Sequence, residues 1–200
     1  MKKSGLRTFR GGIHPDDGKS LAAAQPLISM EAGKRLYFSL SQHIGAPAKP
    51  LVAAGDHVLR GQKIAEAGGF VSAPVHSSVS GIVQGIQKMR MPAGNTADCI
   101  VVENDGKLAE TVWNPASFRE LSAEEILDKI SEAGVTGMGG AGFPTHVKLS
   151  PKAPEKIDYI LINGAECEPY LTSDYRRMLE NPEMVVEGLK ILLHIFPRAK

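Results

Sequence analysis

Thr136-Gly137-Met138-Gly139-Gly140-Ala141-Gly142-Phe143-Pro144-Thr145-His146-Val147-Lys148 is the stretch on which the reading of this chain turns. Four of the six positions from 137 to 142 are glycine. Each gives up a side chain that could pack, and each loses more conformational freedom on ordering than another residue would. A backbone accepts that where something must come close to it. One candidate is a nucleotide phosphate or a flat ring, held by amide N–H groups with a basic residue such as Lys148 beside it. The other is a tight structural turn. No Gly-Lys-Ser/Thr ending follows, so this is not a Walker A loop. The stretch comes after a helical pattern, so the context of a dinucleotide Gly-x-Gly-x-x-Gly motif is missing as well.

The flanking segments give the loop its setting. Ser122-Ala123-Glu124-Glu125 is a capping box, in which the serine hydroxyl and the glutamate carboxylate satisfy the first free amides of a helix. Ile126, Leu127 and Ile130 form its apolar face and Gly134 closes it, so the helix delivers the chain directly to the glycine loop. After a connector from Pro151 to Pro154, Ile157-Asp158-Tyr159-Ile160-Leu161-Ile162 predicts a strand buried on both faces of a parallel sheet. Asn163-Gly164-Ala165-Glu166-Cys167-Glu168-Pro169 follows its carboxyl end, where open α/β sheets bind ligands. Asn163, Glu166 and Glu168 offer an amide and two carboxylates, a donor and acceptor set that suits an isoalloxazine ring, a ribityl chain or a nicotinamide ribose. A solvated acidic turn is the alternative. Asn181-Pro182-Glu183 starts a further helix, with Met184, Val185, Leu189, Leu192 and Leu193 as its predicted buried stripe and Pro197 as its stop. Such a helix should lead into the next parallel strand, and the 200 residues therefore read as the amino-terminal part of a longer protein.

The first half of the chain is different in character. Residues 1–36 are rich in Gly, Pro and Ala and read as an arm with turns, in which His14 has no second ligand at metal-binding spacing. From 37 to 112 the segments are short, β-branched and punctuated, which predicts a small all-β unit. Val52-Ala53-Ala54-Gly55-Asp56-His57-Val58-Leu59-Arg60-Gly61-Gln62-Lys63-Ile64 reads as strand, tight turn and strand. Ala73-Pro74-Val75-His76-Ser77-Ser78-Val79-Ser80-Gly81-Ile82-Val83 follows it. Together they resemble the barrel-sandwich hybrid of biotinyl and lipoyl carrier domains, in which a lysine projects from the hairpin before the Ala-Pro step. Here that hairpin reads Glu66-Ala67-Gly68-Gly69-Phe70, without the lysine, and Lys88 comes only after the second motif. The resemblance implies the carrier fold without the carrier chemistry.

Composition narrows the function classes. Lys and Arg number 23 against 22 Asp and Glu, aromatic residues make up 6%, and no basic block is present, so nothing points to nucleic acid. After Met1-Lys2-Lys3 no apolar core of a secretory signal follows. No apolar run approaches the roughly 20 residues needed to span a bilayer, so membrane association is expected only through partners. Cys99 and Cys167 are the only cysteines and lie far apart, which supports neither a metal site nor a disulfide framework and leaves each most simply read as a small buried residue.

The pair of motifs is more specific than either alone. Gly-x-Gly-Gly-Ala-Gly-Phe-Pro-Thr-x-x-Lys, and then Asn-Gly-Ala-Glu-x-Glu-Pro about fifteen residues later, resembles the FMN- and NADH-binding flavoprotein subunit of respiratory NADH dehydrogenase and its relatives. The nearer resemblance is to the RnfC family, a component of Rnf electron transport complexes. It rests on the order of Gly11-Gly12-Ile13-His14-Pro15, the carrier-like unit, the glycine loop through Leu149, and Asn163 to Thr172, and it covers essentially the whole chain. It implies α/β plus all-β architecture: an arm over 1–36, a barrel-sandwich hybrid over 37–112, and over 113–200 the first part of a Rossmann-like FMN/NADH-binding domain.

By that resemblance Gly137, Gly139, Gly140 and Gly142 let the backbone approach FMN and the dinucleotide, and Ala141 and Phe143 line the NADH side. Lys148 bonds the flavin or phosphates, Asn163 and Glu166 hold FMN, and Glu168 meets the nicotinamide nucleotide. No acid–base catalyst is implied. Met138 stands where the respiratory flavoprotein has arginine and Ala165 where it has aspartate, and the second change removes a flavin contact. A further Gly-Glu segment and two [4Fe–4S] clusters belong to the family but not to these residues. The implied activity is electron input to a membrane-bound, ion-translocating ferredoxin:NAD oxidoreductase on the cytoplasmic face of the inner membrane. Its partners would be the other subunits and, indirectly, ferredoxin, and this fragment alone would be inactive. Two alternatives are a soluble flavoprotein reductase of the cobalamin reductase type and a non-catalytic docking module.

Overall fold

Short β-branched runs separated by turns need partners on both edges, and here they find them in two small antiparallel sheets that share one core. β1 (Arg35–Ser39), β7 (Thr96–Asn104), β6 (Gly81–Arg90) and β3 (His57–Val58) form the first sheet, in that order. β2 (Lys49–Pro50), β4 (Lys63–Glu66) and β5 (Val75–His76) form the second. The computed structural model describes residues 16–138 and 140–200, so His14 and Gly139 lie outside the described residues.

Alternation decides which faces meet. Phe38 stands opposite Ile100 and Leu36 opposite Val102 in the β1–β7 register, and these side chains point into the same interior as Val58, Ile64, Val75, Val79 and Val83. Val58, Ile64, Val79, Ile100 and Val102 are fully buried. At about 1.5–3 kcal/mol for each branched aliphatic side chain removed from water, this cluster is the main source of stability for the unit. The β4–β5 connection is the carrier-like hairpin, and Phe70 at its tip is 75% exposed. Lys88, on β6, pairs with Asp98 at the surface. Cys99 is buried as expected, whereas Cys167, in the loop before the helix Ser173–Glu180, is exposed.

The capping box forms as predicted. The Ser122 hydroxyl accepts from the Glu125 amide, and the Glu125 carboxylate accepts from the Ser122 amide at the start of α1 (Ala123–Glu132). Ile126 is buried against a second cluster that includes Phe118, Leu121, Ile130, Leu149, Ile157, Ile195 and Phe196. Two further helices, α3 (Ser173–Glu180) and α4 (Pro182–Ile195), follow the four-residue α2 (Thr145–Lys148). In α4 the residues that become buried are at its end, and Met184, predicted to be inside, is 66% exposed.

The strand predicted over 157–162 does not form. Tyr159 and Leu161 are 68% and 88% exposed, and the segment has no ladder. A strand exists only through its pairing, and among the described residues this segment has a single paired position. The Ile160 amide donates to the Lys200 carbonyl at 3.1 Å, and the Lys200 amide donates to the Asp158 carbonyl at 3.0 Å. Two bonds flanking Tyr159 in this way have the pattern of a parallel pair, but one such pair is too little to make a strand.

The chain divides into two compact units. Met30–Ile160 with Lys190–Lys200 form one, and the described residues up to Ser29 with Leu161–Leu189 form the other. α4 begins in the second of these and ends in the first.

Candidate functional site

In the larger unit, α1 ends at Gly134 with φ +67°, and a Cβ there would come within 2.5 Å of the Pro74 carbonyl oxygen. The helix therefore ends directly against the barrel-sandwich sheets. The glycine loop starts at the next residue and closes on itself. The Thr145 amide donates to the Val135 carbonyl at 2.9 Å, and the Gly137 amide donates to the Phe143 carbonyl at 3.0 Å. Thr136 and Pro144 face each other as an antiparallel bridge, and Pro144 is fully buried. The tip of the loop is thus carried on a two-bond clasp.

The glycines of the loop are not equivalent. Gly142 has φ +63°, and a Cβ on it would meet the Gln42 carbonyl oxygen at 2.8 Å and His43 Cα at 3.0 Å, so the protein itself requires glycine there. At Gly140 no heavy atom lies within 4 Å of where a Cβ would be. Protein packing gives no reason for that glycine. Gly137 is intermediate, with only ordinary contact to the Phe143 backbone. A cleft of about 510 Å³ opens beside the loop, lined by Gln42, Gly134, Thr136, Gly137, Met138 and Gly140 among others. Ala141 is exposed and Phe143 is 40% exposed. Lys148 is on α2, with no partner for its ammonium among the described residues. An open backbone face beside a cleft can admit a ligand close to the main chain.

The smaller unit holds the other predicted residues. Glu166 caps α3: its carboxylate accepts from the Ser173 hydroxyl and the Asp174 amide, both at 3.0 Å, and from the Tyr175 amide at 3.5 Å. The Asp174 amide, then the Ser173 hydroxyl and the Tyr175 amide, hold the Glu166 carboxyl below the usual glutamate range. A carboxylate at a helix amino terminus is favoured by both the free amides and the helix dipole. Asn163 Oδ1 accepts from the Ala165 amide at 2.9 Å, folding its own turn. The backbone carbonyl of Glu168 accepts from Lys19 Nζ at 2.9 Å. Glu166 and Lys19 line a cleft of about 340 Å³ with Gly164, Thr172, Tyr175 and Met178.

Lys19 carries no signal in the sequence, yet it also donates to the Leu171 carbonyl at 2.7 Å. It lies 149 positions from Glu168, and no local pattern marks such a contact. Tyr170 has no role in the motif reading either. It holds φ +66°, its amide donates to the Asp17 carbonyl at 2.6 Å, and its ring lies where a Cβ on Gly18 would be.

Residues 7–107, half of the chain, match the model of the RnfC barrel-sandwich hybrid domain. The chain belongs to the RnfC family. Residues 130–200 match the Nuo51 FMN-binding domain, and that range contains both the glycine loop and the Asn163–Glu168 loop. The architecture is therefore a barrel-sandwich hybrid followed by the beginning of an FMN-binding α/β domain, as the resemblance implies.

Among RnfC relatives, the C component of the proton-translocating ferredoxin:NAD(+) oxidoreductase complex of Clostridium ljungdahlii is 46% identical over 192 residues, 95% of this chain and 42% of the relative. The C component of the Na(+)-translocating ferredoxin:NAD(+) oxidoreductase complex of Acetobacterium woodii is 41% identical over 188 residues, 93% of this chain and 42% of the relative. The C component of the ion-translocating oxidoreductase complex of Haemophilus influenzae is 39% identical over 193 residues, 95% of this chain and 30% of that protein. The chain thus spans less than half the length of these curated relatives. No helix among the described residues is long and apolar enough to cross a membrane.

Proposed function

We propose that this chain supplies the NADH- and FMN-binding electron-input point of a membrane-bound, ion-translocating ferredoxin:NAD oxidoreductase. The observation that carries the reading is Gly140. It is a glycine that packing does not explain, set on a clasped loop beside a cleft, so its missing side chain leaves room for a ligand. The flavin, when bound, supplies the chemistry that links two-electron exchange with a nicotinamide to one-electron exchange with iron–sulfur centres.

The residues of this chain bind and orient. Gly137, Gly139, Gly140 and Gly142 admit the backbone to the cofactor, with Ala141 and Phe143 on the nicotinamide side. Lys148 neutralises phosphate charge, Asn163 and Glu166 hold the flavin, and Glu168 holds the nicotinamide ribose. The arm is residues 1–36, the barrel-sandwich unit 37–112, and the nucleotide domain begins at 113. The [4Fe–4S] clusters belong to other parts of the full-length protein, and ferredoxin is reached through partner subunits at the cytoplasmic face of the inner membrane. The present 200 residues alone hold FMN weakly or not at all and have no activity.

One observation favours a second reading. The Glu166 carboxylate is already committed to capping α3, as in a docking module whose flavin site stays empty. The test is NADH-dependent ferredoxin reduction, and the reverse reaction, in membranes that carry the complete complex. Both directions should be lost when the full-length protein is removed and restored when it is added back. Activity that persists without it would overturn the proposal.

A further inference from the structure

The barrel-sandwich unit has a carrier's hairpin without a carrier's lysine, and so has no chemistry of its own to account for its presence. Its contacts with the glycine loop supply a reason. The Ile44 amide donates to the Ala141 carbonyl at 3.1 Å, across about a hundred positions of sequence, and the Gln42 carbonyl fills the space beside Gly142. The loop is therefore clasped at its base by its own bonds and gripped near its tip by residues 42–44.

His43 holds that grip. Its Nδ1 lies 3.1 Å from the Ile44 carbonyl, and its Nε2 lies 3.1 Å from both the amide and the carbonyl of Ala73. With its proton on Nδ1 the ring donates to the Ile44 carbonyl and accepts from the Ala73 amide, and with its proton on Nε2 it donates to the Ala73 carbonyl, so either tautomer ties the ring to Ala73. One ring thus ties residues 42–44 to the Ala73-Pro74 step, and Pro74 is also what Gly134 abuts where α1 ends. At the hairpin tip, where carriers place their lysine, Phe70 meets the His146 ring of α2 edge-on, with ring centroids 6.4 Å apart. The barrel-sandwich unit touches the loop's start at Gly134, its tip at Ala141 and Gly142, and its exit helix at His146.

We infer that the lysine-free barrel-sandwich unit is a positioning element of the nucleotide site, with His43 as the positioning residue that fixes the glycine loop through the Ile44 amide. The inference rests on the reading of that loop as the FMN and NADH site, but the structural coupling can be tested separately. The experiment is amide hydrogen exchange on the full-length protein, wild type against His43→Ala, together with the KM for NADH and the FMN content. Exchange at Ile44, Gly137 and Thr145 should rise about tenfold, the expected result of losing one to two net hydrogen bonds from a local closed state. Exchange at Ile100 and Val102 in the β7 core should stay as in wild type. KM should rise with kcat little changed, or FMN occupancy should fall.

Unchanged exchange at Ile44, Gly137 and Thr145 in His43→Ala would overturn the inference. If the β7 core also exchanges faster, Gly142→Ala decides, because it perturbs the loop and leaves the barrel sequence intact. Faster exchange at Ile44 in that variant sustains the coupling, and unchanged exchange overturns it. If wild type binds neither FMN nor NADH, the functional proposal fails, and the exchange data still decide the coupling.

Discussion

Gly140 and Gly142, either side of Ala141 in one loop, are glycine for different reasons. Gly142 answers to the protein, through φ +63° and the nearby Gln42 carbonyl, whereas the side of Gly140 that would carry a Cβ is empty. Gly142→Ala should therefore destabilise the larger unit by about 1–2 kcal/mol, the penalty of a left-handed conformation for an L residue. Gly140→Ala should leave stability within about 0.5 kcal/mol of wild type. It should nonetheless weaken FMN or NADH binding by the full-length protein about tenfold, since a methyl group then stands where the ligand approaches. Denaturant unfolding and ligand titration of both variants check this contrast, and equal stability losses at the two positions would contradict it. The sequence shows both glycines equally well and cannot separate them, because the distinction depends on Gln42 and His43, which are remote along the chain.

Elements with local signals are legible in the sequence and elements that depend on partners are not. The Ser122–Glu125 capping box and the Gly134 stop are written in neighbouring residues, and both form where they are expected; the small all-β unit forms too, although Val52 to Asp56 carry no strand. The apolar run 157–162 looks like a strand by composition, but its only pairing among the described residues is beside Tyr159. Glu166 reads as a cofactor ligand, and its use as the cap of α3 is hidden because it stands seven positions before Ser173, outside the usual capping spacing.

The β6–β7 sheet has a long-range tie of its own at Asp105. The Ser80 hydroxyl at 2.6 Å, then the Lys107 amide and His57, lower the Asp105 carboxyl from 3.8 to about 2. A carboxyl depressed in the folded state stabilises it above the unfolded-state value, and that contribution is lost as pH falls through the folded-state value. The unfolding free energy of wild type should therefore fall more steeply than that of Asp105→Asn between about pH 4 and pH 2. Chemical denaturation across that range measures the slopes, and parallel slopes would contradict the assignment.

At the scale of the molecule, a small all-β unit and the start of an α/β domain are joined so that the first grips the loop of the second. Net charge near zero leaves no strong overall field to steer a charged partner. Membership of the RnfC family and the match of residues 130–200 to an FMN-binding domain agree with what the motifs implied. The flavin content of the purified full-length protein, followed by its absorbance on anaerobic addition of NADH, decides whether this chain carries an electron-input site. Close to one FMN per chain is expected, and its oxidised absorbance should be lost on adding NADH. A full-length, folded protein that retains no FMN, takes up none when it is supplied, and does not bind NADH would contradict it.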